Sequence, residues 1–91
     1  MYRKEVIVRN PTGLHARPAS EFVAKAKSFQ SKISISRVGP NAKSGNAKSI
    51  IILLSLGLCQ GETVEITADG LDEQQAVDAL VELVESGFGE L

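Results

Sequence analysis

The chain has 91 residues, of which 43% are hydrophobic and 23% are charged. These fractions are close to those of ordinary globular proteins and exclude a disordered or collagen-like chain. A chain of this length accommodates one folded unit, so we expect residues 1–91 to form a single domain. Aromatic residues make up only 4% of the chain, which disfavours the aromatic stacking surface of a single-strand nucleic-acid binder.

The only cysteine, Cys59, cannot form an intramolecular disulfide, and we expect it to be buried as a small apolar residue. The amino-terminal residues lack the apolar stretch of a secretory signal. The longest apolar run, residues 50–54, is far shorter than the ~18 residues of a membrane-spanning helix. The sequence therefore predicts a cytoplasmic protein that does not enter the membrane.

The net charge is −1, but the charges are unevenly distributed along the chain. Residues 1–48 contain all ten Lys and Arg residues and two acids, a balance of +8, whereas residues 49–91 carry nine acids and no base, a balance of −9. Two interpretations remain open: one surface binds an acidic partner, or the protein has two solvated faces of opposite sign. Because the basic residues are scattered singly, we expect no direct binding of nucleic acid.

The first half of the chain alternates between strand and helix patterns. Residues 3–8 predict a strand that ends at a cluster of turn residues. From Ala16 onward, apolar residues recur at helical spacing and predict an amphipathic helix. Residues 31–38 alternate as in a half-buried strand. Residues 39–46 are rich in Gly, Pro, Asn and Ser and predict a long hairpin loop with at most a short third strand near it.

In the second half, residues 49–57 are ambiguous. Three consecutive Ile favour a strand, whereas a Ser at one end and a Gly at the other are typical helix-capping residues. Residues 63–68 alternate and predict a last strand. A long amphipathic helix follows, in which Asp72 and Gln75 resemble an N-terminal capping pair and Gly87 suits the C-terminal end.

The only histidine, His15, lies between the first strand and the first helix. Free backbone N–H groups and the helix dipole favour an anion at that place, and Arg17 offers a fork of donors suited to phosphate oxygens. A neutral imidazole is a nucleophile, so His15 is a candidate phosphoryl acceptor. The alternative is that His15 only caps the helix. No metal site is expected, because one histidine and a distant cysteine do not form a ligand cluster.

Residues 13–19, Gly-Leu-His-Ala-Arg-Pro-Ala, resemble the active-site signature of HPr, the histidine-containing phosphocarrier of the bacterial phosphoenolpyruvate:sugar phosphotransferase system. Residues 46–50, Asn-Ala-Lys-Ser-Ile, resemble the region around the regulatory serine of that family. The resemblance extends over essentially the whole chain. It implies an α+β open-faced β-sandwich, in which a four-stranded antiparallel sheet carries three helices on one face in the order βαββαβα. It also implies that residues 50–54 form a short helix.

The resemblance further implies that His15 accepts a phosphoryl group on Nδ1 from phospho-enzyme I and passes it to the A domain of a sugar permease. Arg17 would stabilise the transferring group, and no cofactor would be needed. Such a protein is a stoichiometric carrier and not an enzyme. Ser49 matches the site of an ATP-dependent HPr kinase/phosphorylase, and its phosphorylated form would act on a catabolite-control transcription factor; the open alternative is a plain helix cap. The partner-binding residues implied in this way are Thr12, Ala16, Ser20, Lys48, Ile50, Ile51 and Leu54.

The sequence also departs from what we expect of this family. The loop at residues 39–46 is longer than expected and contains Pro40, which cannot donate to a strand ladder, so the pairing of the third strand is open. The three consecutive Ile residues are more β-branched than the usual segment. Two rival functions follow: a regulatory binding protein that acts through phosphorylated Ser49, and a specialised paralogue of the carrier.

Overall fold

The computed structural model describes residues 1–40 and 42–91; Asn41, in the predicted loop, lies outside the described residues. Four strands form one antiparallel sheet in the order β1-β4-β2-β3. Their bounds are β1 (Tyr2–Ile7), β2 (Lys32–Arg37), β3 (Ser44–Asn46) and β4 (Thr63–Asp69). The helices are α1 (Ala16–Lys27), α2 (Ile50–Ser55) and α3 (Glu73–Glu85), and a 3₁₀ turn (Gly87–Gly89) follows. The predicted fold class is confirmed, and so is the short helix after Ser49.

The core lies between the sheet and the helices. In β2 and β4, residues at every second position are buried, because successive side chains of a strand point to opposite faces. The helices contribute the apolar stripes that their spacing predicts, and Phe22 of α1 is the largest of the fully buried side chains. Leu83 of α3 is only half-buried. The buried residues of the strands and of the two long helices are Val6, Pro18, Ala19, Phe22, Val23, Ala26, Ile33, Ile35, Val64, Ile66, Ala68, Ala76, Val77, Leu80 and Val84.

The third strand is formed within the segment predicted as a loop. Residues 44–46 pair with β2, and Gly45 lies opposite Ile35. Pro40 precedes this ladder, so its missing N–H group interrupts no strand pairing. A side chain at Gly45 would collide with Ile52 of α2, which explains why the strand has a glycine here. The last three residues of the predicted loop thus form the short third strand, whose pairing the sequence left open.

The N-terminal capping pair predicted for α3 is also wrong. Asp72 occupies the N-cap position, but its side chain makes no capping hydrogen bond. Its carboxylate instead accepts hydrogen bonds from the backbone N–H groups of Gln30 (2.8 Å) and Ser31 (2.9 Å), and from the Ser31 hydroxyl. The Ser31 hydroxyl, followed by the Gln30 N–H, lowers the pKa of Asp72. Asp72 thus ties the start of α3 to the turn before β2.

Cys59 is exposed, which contradicts the expectation that it is buried. The preceding residue, Leu58, is fully buried and takes the inward position. Gly57 and Gly61, with φ of 62° and 88°, turn the chain on either side. These turns leave the thiol on the surface, with Sγ 3.3 Å from the Gly57 carbonyl oxygen.

The oppositely charged halves of the sequence do not form two separate surfaces. The Lys4 ammonium pairs with Asp78 at 2.8 Å, and the Arg37 guanidinium pairs with Glu62 at 2.9 Å. The terminal ammonium of Met1 lies 2.9 Å from the Glu73 carboxylate. Each pair joins a base from the first half to an acid from the second, so the fold interleaves the two.

Candidate functional site

The loop between β1 and α1 carries His15 and is held by the segment around Leu58. Gly13 has a φ of 68°, a conformation that favours glycine. Its N–H donates to the Asn10 carbonyl (3.1 Å), and the Leu14 N–H donates to the Leu58 carbonyl (2.9 Å). A Cβ on Gly13 would lie 2.5 Å from the Leu58 carbonyl oxygen. Leu14 is fully buried, so the loop is fixed immediately before the histidine.

His15 occupies the N-cap position of α1 with an extended backbone, φ −130° and ψ 162°. Its side chain makes no capping hydrogen bond, and it is half-buried. The alternative that the imidazole caps the helix therefore does not apply. The first turn of α1 holds no acidic residue, so its unpaired N–H groups face no competing carboxylate of their own helix. A half-accessible imidazole beside a helix N-terminus is suited to receiving an anionic group.

The two residues after His15 have contrasting roles in the local geometry. Ala16 has a φ of 53°, the left-handed region that is strained for a residue with a side chain. Arg17 is exposed, and its Nε lies 3.6 Å from the Glu21 carboxylate one helical turn away. Exposed ion pairs of this kind contribute little, so the guanidinium is able to turn towards an anion at His15.

The chain end supplies a carboxylate to this site that sequence reasoning missed. Glu90 Oε1 accepts hydrogen bonds from Asn10 Nδ2 (3.1 Å) and Thr12 Oγ1 (2.9 Å). Hydrogen bonds from Asn10 and then Thr12 lower the pKa of Glu90, and the positive charge of Arg17 acts in the same direction. Asn10, also missed, is fully buried. No sequence pattern links residues that are 78 and 80 positions apart.

Ser49 caps α2, as the capping interpretation predicts. Its Oγ accepts a hydrogen bond from the Ile52 N–H at 3.3 Å. The neighbouring Lys48 donates from Nζ to the Phe29 carbonyl (2.7 Å), which ties the start of α2 to the end of α1. Ser49 as a residue is half-buried at this junction.

Helix α2 has an apolar exposed side. Ile51 is 78% exposed, and Leu54 is 42% exposed, as expected for partner-binding residues. Ile52, which sequence reasoning did not include, is 40% exposed. Leu53 is fully buried and anchors the helix to the core. Adjacent exposed apolar side chains of this size are typical of a protein-binding surface.

The predicted partner-binding residues fall into two groups. Thr12 and Ala16 are exposed at the N-terminal end of α1, next to His15 in the chain. Ser20 and the half-buried Ile50 line a shallow hollow of about 260 Å³ between α1 and α2. Lys48 and the exposed side chains of α2 continue this second group.

Within residues 1–40 and 42–91, there is no cluster of three or more His, Cys, Asp or Glu side chains that could bind a metal ion. Over the same ranges, every helix is too short or too polar to cross a bilayer.

An open antiparallel sheet, with a histidine that makes no capping hydrogen bond at the N-cap of its first helix, is the arrangement expected of a histidine phosphocarrier. The family described as PTS HPr component phosphorylation site matches residues 2–86. The chain belongs to this family, the HPr phosphocarriers of the phosphotransferase system.

Individual relatives agree with this assignment. The chain is 49% identical over 84 residues to the phosphocarrier protein HPr of Haemophilus influenzae, covering 92% of this chain and 95% of that protein. It is 45% identical over 85 residues to the HPr-like protein Crh of Halalkalibacterium halodurans, covering 93% and 98%. The crystal structure of HPr-C-His from Thermoanaerobacter tengcongensis superposes with a TM-score of 0.92 at 47% identity, covering 100% of this chain and 99% of that one.

Proposed function

We propose that this protein accepts a phosphoryl group on Nδ1 of His15 from phospho-enzyme I and passes it to the A domain of a sugar permease. The observation that carries this proposal is the His15 ring, which sits at the N-cap of α1 without a capping hydrogen bond. Membership of the HPr family supports the choice of donor and acceptor. We propose that the relay takes place in the cytoplasm. Residues 1–91 form a single domain in this proposal.

The proposed transfer needs only the chain's own groups. The Nδ1 lone pair of a neutral imidazole attacks phosphorus while the bond between phosphorus and the donor breaks, and Nε2 keeps its proton. The N–H groups of the first turn of α1 and the Arg17 guanidinium stabilise the phosphoryl oxygens. Transfer onward reverses these steps. The protein is itself the substrate of both reactions and carries one phosphoryl group per chain between them, so it acts as a stoichiometric carrier and not as an enzyme.

The proposed docking surface combines the two groups of partner-binding residues. Each partner must bring the side chain that donates or receives the phosphoryl group against His15. An apolar surface on an adjacent helix provides binding area. Ile51 and Leu54 supply exposed apolar side chains for this purpose. The remaining docking residues in the proposal are Thr12, Ala16, Ser20, Lys48 and Ile50.

The test of the relay is intact-mass spectrometry after incubation with phosphoenolpyruvate and enzyme I. We expect the wild-type chain to gain one acid-labile phosphoryl group and His15→Ala to gain none. Arg17→Ala should still fold and should accept the group more slowly, because it lacks the stabilising guanidinium. An authentic HPr in a parallel reaction controls for active enzyme I. If that control is phosphorylated and the wild-type chain is not, the relay is refuted.

We further propose that Ser49 is phosphorylated by an ATP-dependent HPr kinase/phosphorylase. Ser49 is only half-buried, and it lies immediately before α2, which has an apolar exposed side. A phosphate there adds about two negative charges beside the docking surface and lowers the affinity for an acidic partner by like-charge repulsion. Incubation with kinase and ATP should modify the wild type and not Ser49→Ala, and the Ser49 phosphoform should accept the His15 phosphoryl group more slowly. Modification of Ser49→Ala to the same extent would exclude this site.

A second candidate function is a regulatory binding protein that uses phosphorylated Ser49 to act on a transcription factor. The solution structure of Crh, described as the Bacillus subtilis catabolite repression HPr, is 42% identical with a TM-score of 0.65 and covers 91% of this chain and 95% of that one. The presence of His15 favours the carrier. If His15→Ala left sugar uptake intact in the host while Ser49→Ala abolished repression, the regulatory function would replace it. A paralogue dedicated to one pathway would instead complement only one permease.

A further inference from the structure

The last residues of the chain fold back onto the loop that carries His15. Phe88 in the 3₁₀ turn is only 4% exposed although its φ is 54°, so its packing holds a strained backbone in place. Gly87, with a φ of 70°, allows the chain to reverse after α3. The turn thereby fixes Glu90 against Asn10 and Thr12 in the loop before α1.

Glu90 and Asn10 form the centre of the contact. The Asn10 amide nitrogen donates to the Glu90 carboxylate (3.1 Å), to Thr12 Oγ1 (3.1 Å) and to the Gly13 carbonyl oxygen (2.8 Å). Thr12 Oγ1 in turn donates to Glu90, 2.9 Å from one carboxylate oxygen and 3.3 Å from the other. The buried amide cannot be reversed without placing its oxygen against the carboxylate and the Gly13 carbonyl. Glu90 therefore fixes both the side chain of Asn10 and that of Thr12.

We propose that Glu90 is a positioning residue for phosphoryl transfer, and this inference rests on the function proposed for His15. The loop from Asn10 to Gly13 is held on one side by Leu58, whose carbonyl accepts from the Leu14 N–H. Glu90 holds it on the other side through Asn10 and Thr12. With both sides fixed, the backbone enters His15 in one conformation and aims the imidazole for in-line attack.

The test compares three variants in the enzyme I reaction. Glu90→Ala removes the acceptor, whereas Glu90→Gln keeps an acceptor oxygen of the same reach without the charge. Glu85→Ala removes an exposed carboxylate from the end of α3 and is the matched control. We expect Glu90→Ala to lower kcat by about tenfold, since small displacements of reacting groups have effects of this order or larger. The KM of enzyme I for the chain should change by a smaller factor than kcat, because Glu90→Ala leaves the docking residues of α2 in place and affects only Thr12 among the docking residues. Glu90→Gln should recover most of the rate, and Glu85→Ala should match the wild type.

Amide hydrogen exchange gives a second measurement that does not depend on phosphoryl transfer. The Gly13 N–H bonds the Asn10 carbonyl, so its exchange should be faster in Glu90→Ala at an unchanged melting temperature and should return to the wild-type value in Glu90→Gln. A normal exchange rate in Glu90→Ala, or a normal kcat, overturns the inference. Equal loss of kcat in Glu90→Gln and Glu90→Ala would assign the effect to charge and would also overturn it. If enzyme I does not phosphorylate the wild type, the function proposed for His15 fails, and the exchange rates alone decide whether Glu90 fixes the loop.

Discussion

Helix α2 contains two apolar residues, Ile51 and Leu53, for which we expect different roles. Substituting each by alanine distinguishes an effect on partner binding from an effect on stability. Leu53 is fully buried, whereas Ile51 is 78% exposed. Both lie on the same six-residue helix, so each variant controls for the effect of the other on helix formation. We expect Leu53→Ala to affect stability and Ile51→Ala to affect partner binding.

The magnitudes follow from the burial of each side chain. Leu53→Ala leaves a cavity in the core and should lower the free energy of unfolding by about 3 kcal/mol. In a domain of this size that loss lowers Tm by more than about 10 °C. Ile51→Ala removes little buried area, and alanine favours the helix slightly more than isoleucine does, so stability should change by less than about 0.5 kcal/mol. If Ile51 is covered in the complex, its loss costs about 1.4 kcal/mol or more of binding, a tenfold rise in KM.

Thermal unfolding and the enzyme I reaction measure the two effects separately. Both variants should be assayed at a temperature at which Leu53→Ala remains folded. There, Ile51→Ala should raise the KM of enzyme I for the chain while its Tm stays at the wild-type value. A large fall in Tm for Ile51→Ala would show that the residue belongs to the core. An unchanged KM for Ile51→Ala would refute the docking surface assigned to α2.

Three further predictions concern turns and helix ends of the fold. Gly13→Ala should lower stability by about 1–3 kcal/mol, since its Cβ would lie 2.5 Å from the Leu58 carbonyl oxygen at a positive φ; an unchanged denaturant midpoint would contradict this. Ser49→Ala should cost about 1 kcal/mol in urea unfolding through loss of the cap, and Ser49→Asp should recover part of it because Asp also caps well. Asp72 has a lowered pKa in the folded protein, so its stabilising effect is complete above its unfolded pKa of ~3.9 and is lost as the pH falls through the lower folded pKa. Asp72→Asn should flatten the decline of Tm in that acidic range, and an identical decline in both proteins would show that Asp72 does not contribute to it.

The sequence predicts most of the elements because their signals are local. The alternation in β2 and β4 and the helical stripe around Phe22 are each contained within one element, and the structure confirms them. The segment after Ser49 is different, because three β-branched residues and two capping residues favour opposite structures. The fold resolves it through non-local contacts: Leu53 enters the core, and Ile52 packs against Gly45 of β3. Local propensity is weaker than such packing, so pattern alone left the segment open.

The surroundings of His15 show the same distinction within one site. The residues that follow the histidine in the chain identify it, because the helix N-terminus and Arg17 are local features. The loop before His15 is held in place by Leu58 and Glu90, which belong to other parts of the fold. A glutamate near the end of a chain has no pattern that separates it from a solvated one, and its acceptor role exists only because Phe88 packs into the core. Sequence reasoning can therefore locate the proposed phosphoryl acceptor, whereas the contacts that hold its loop are a property of the tertiary structure.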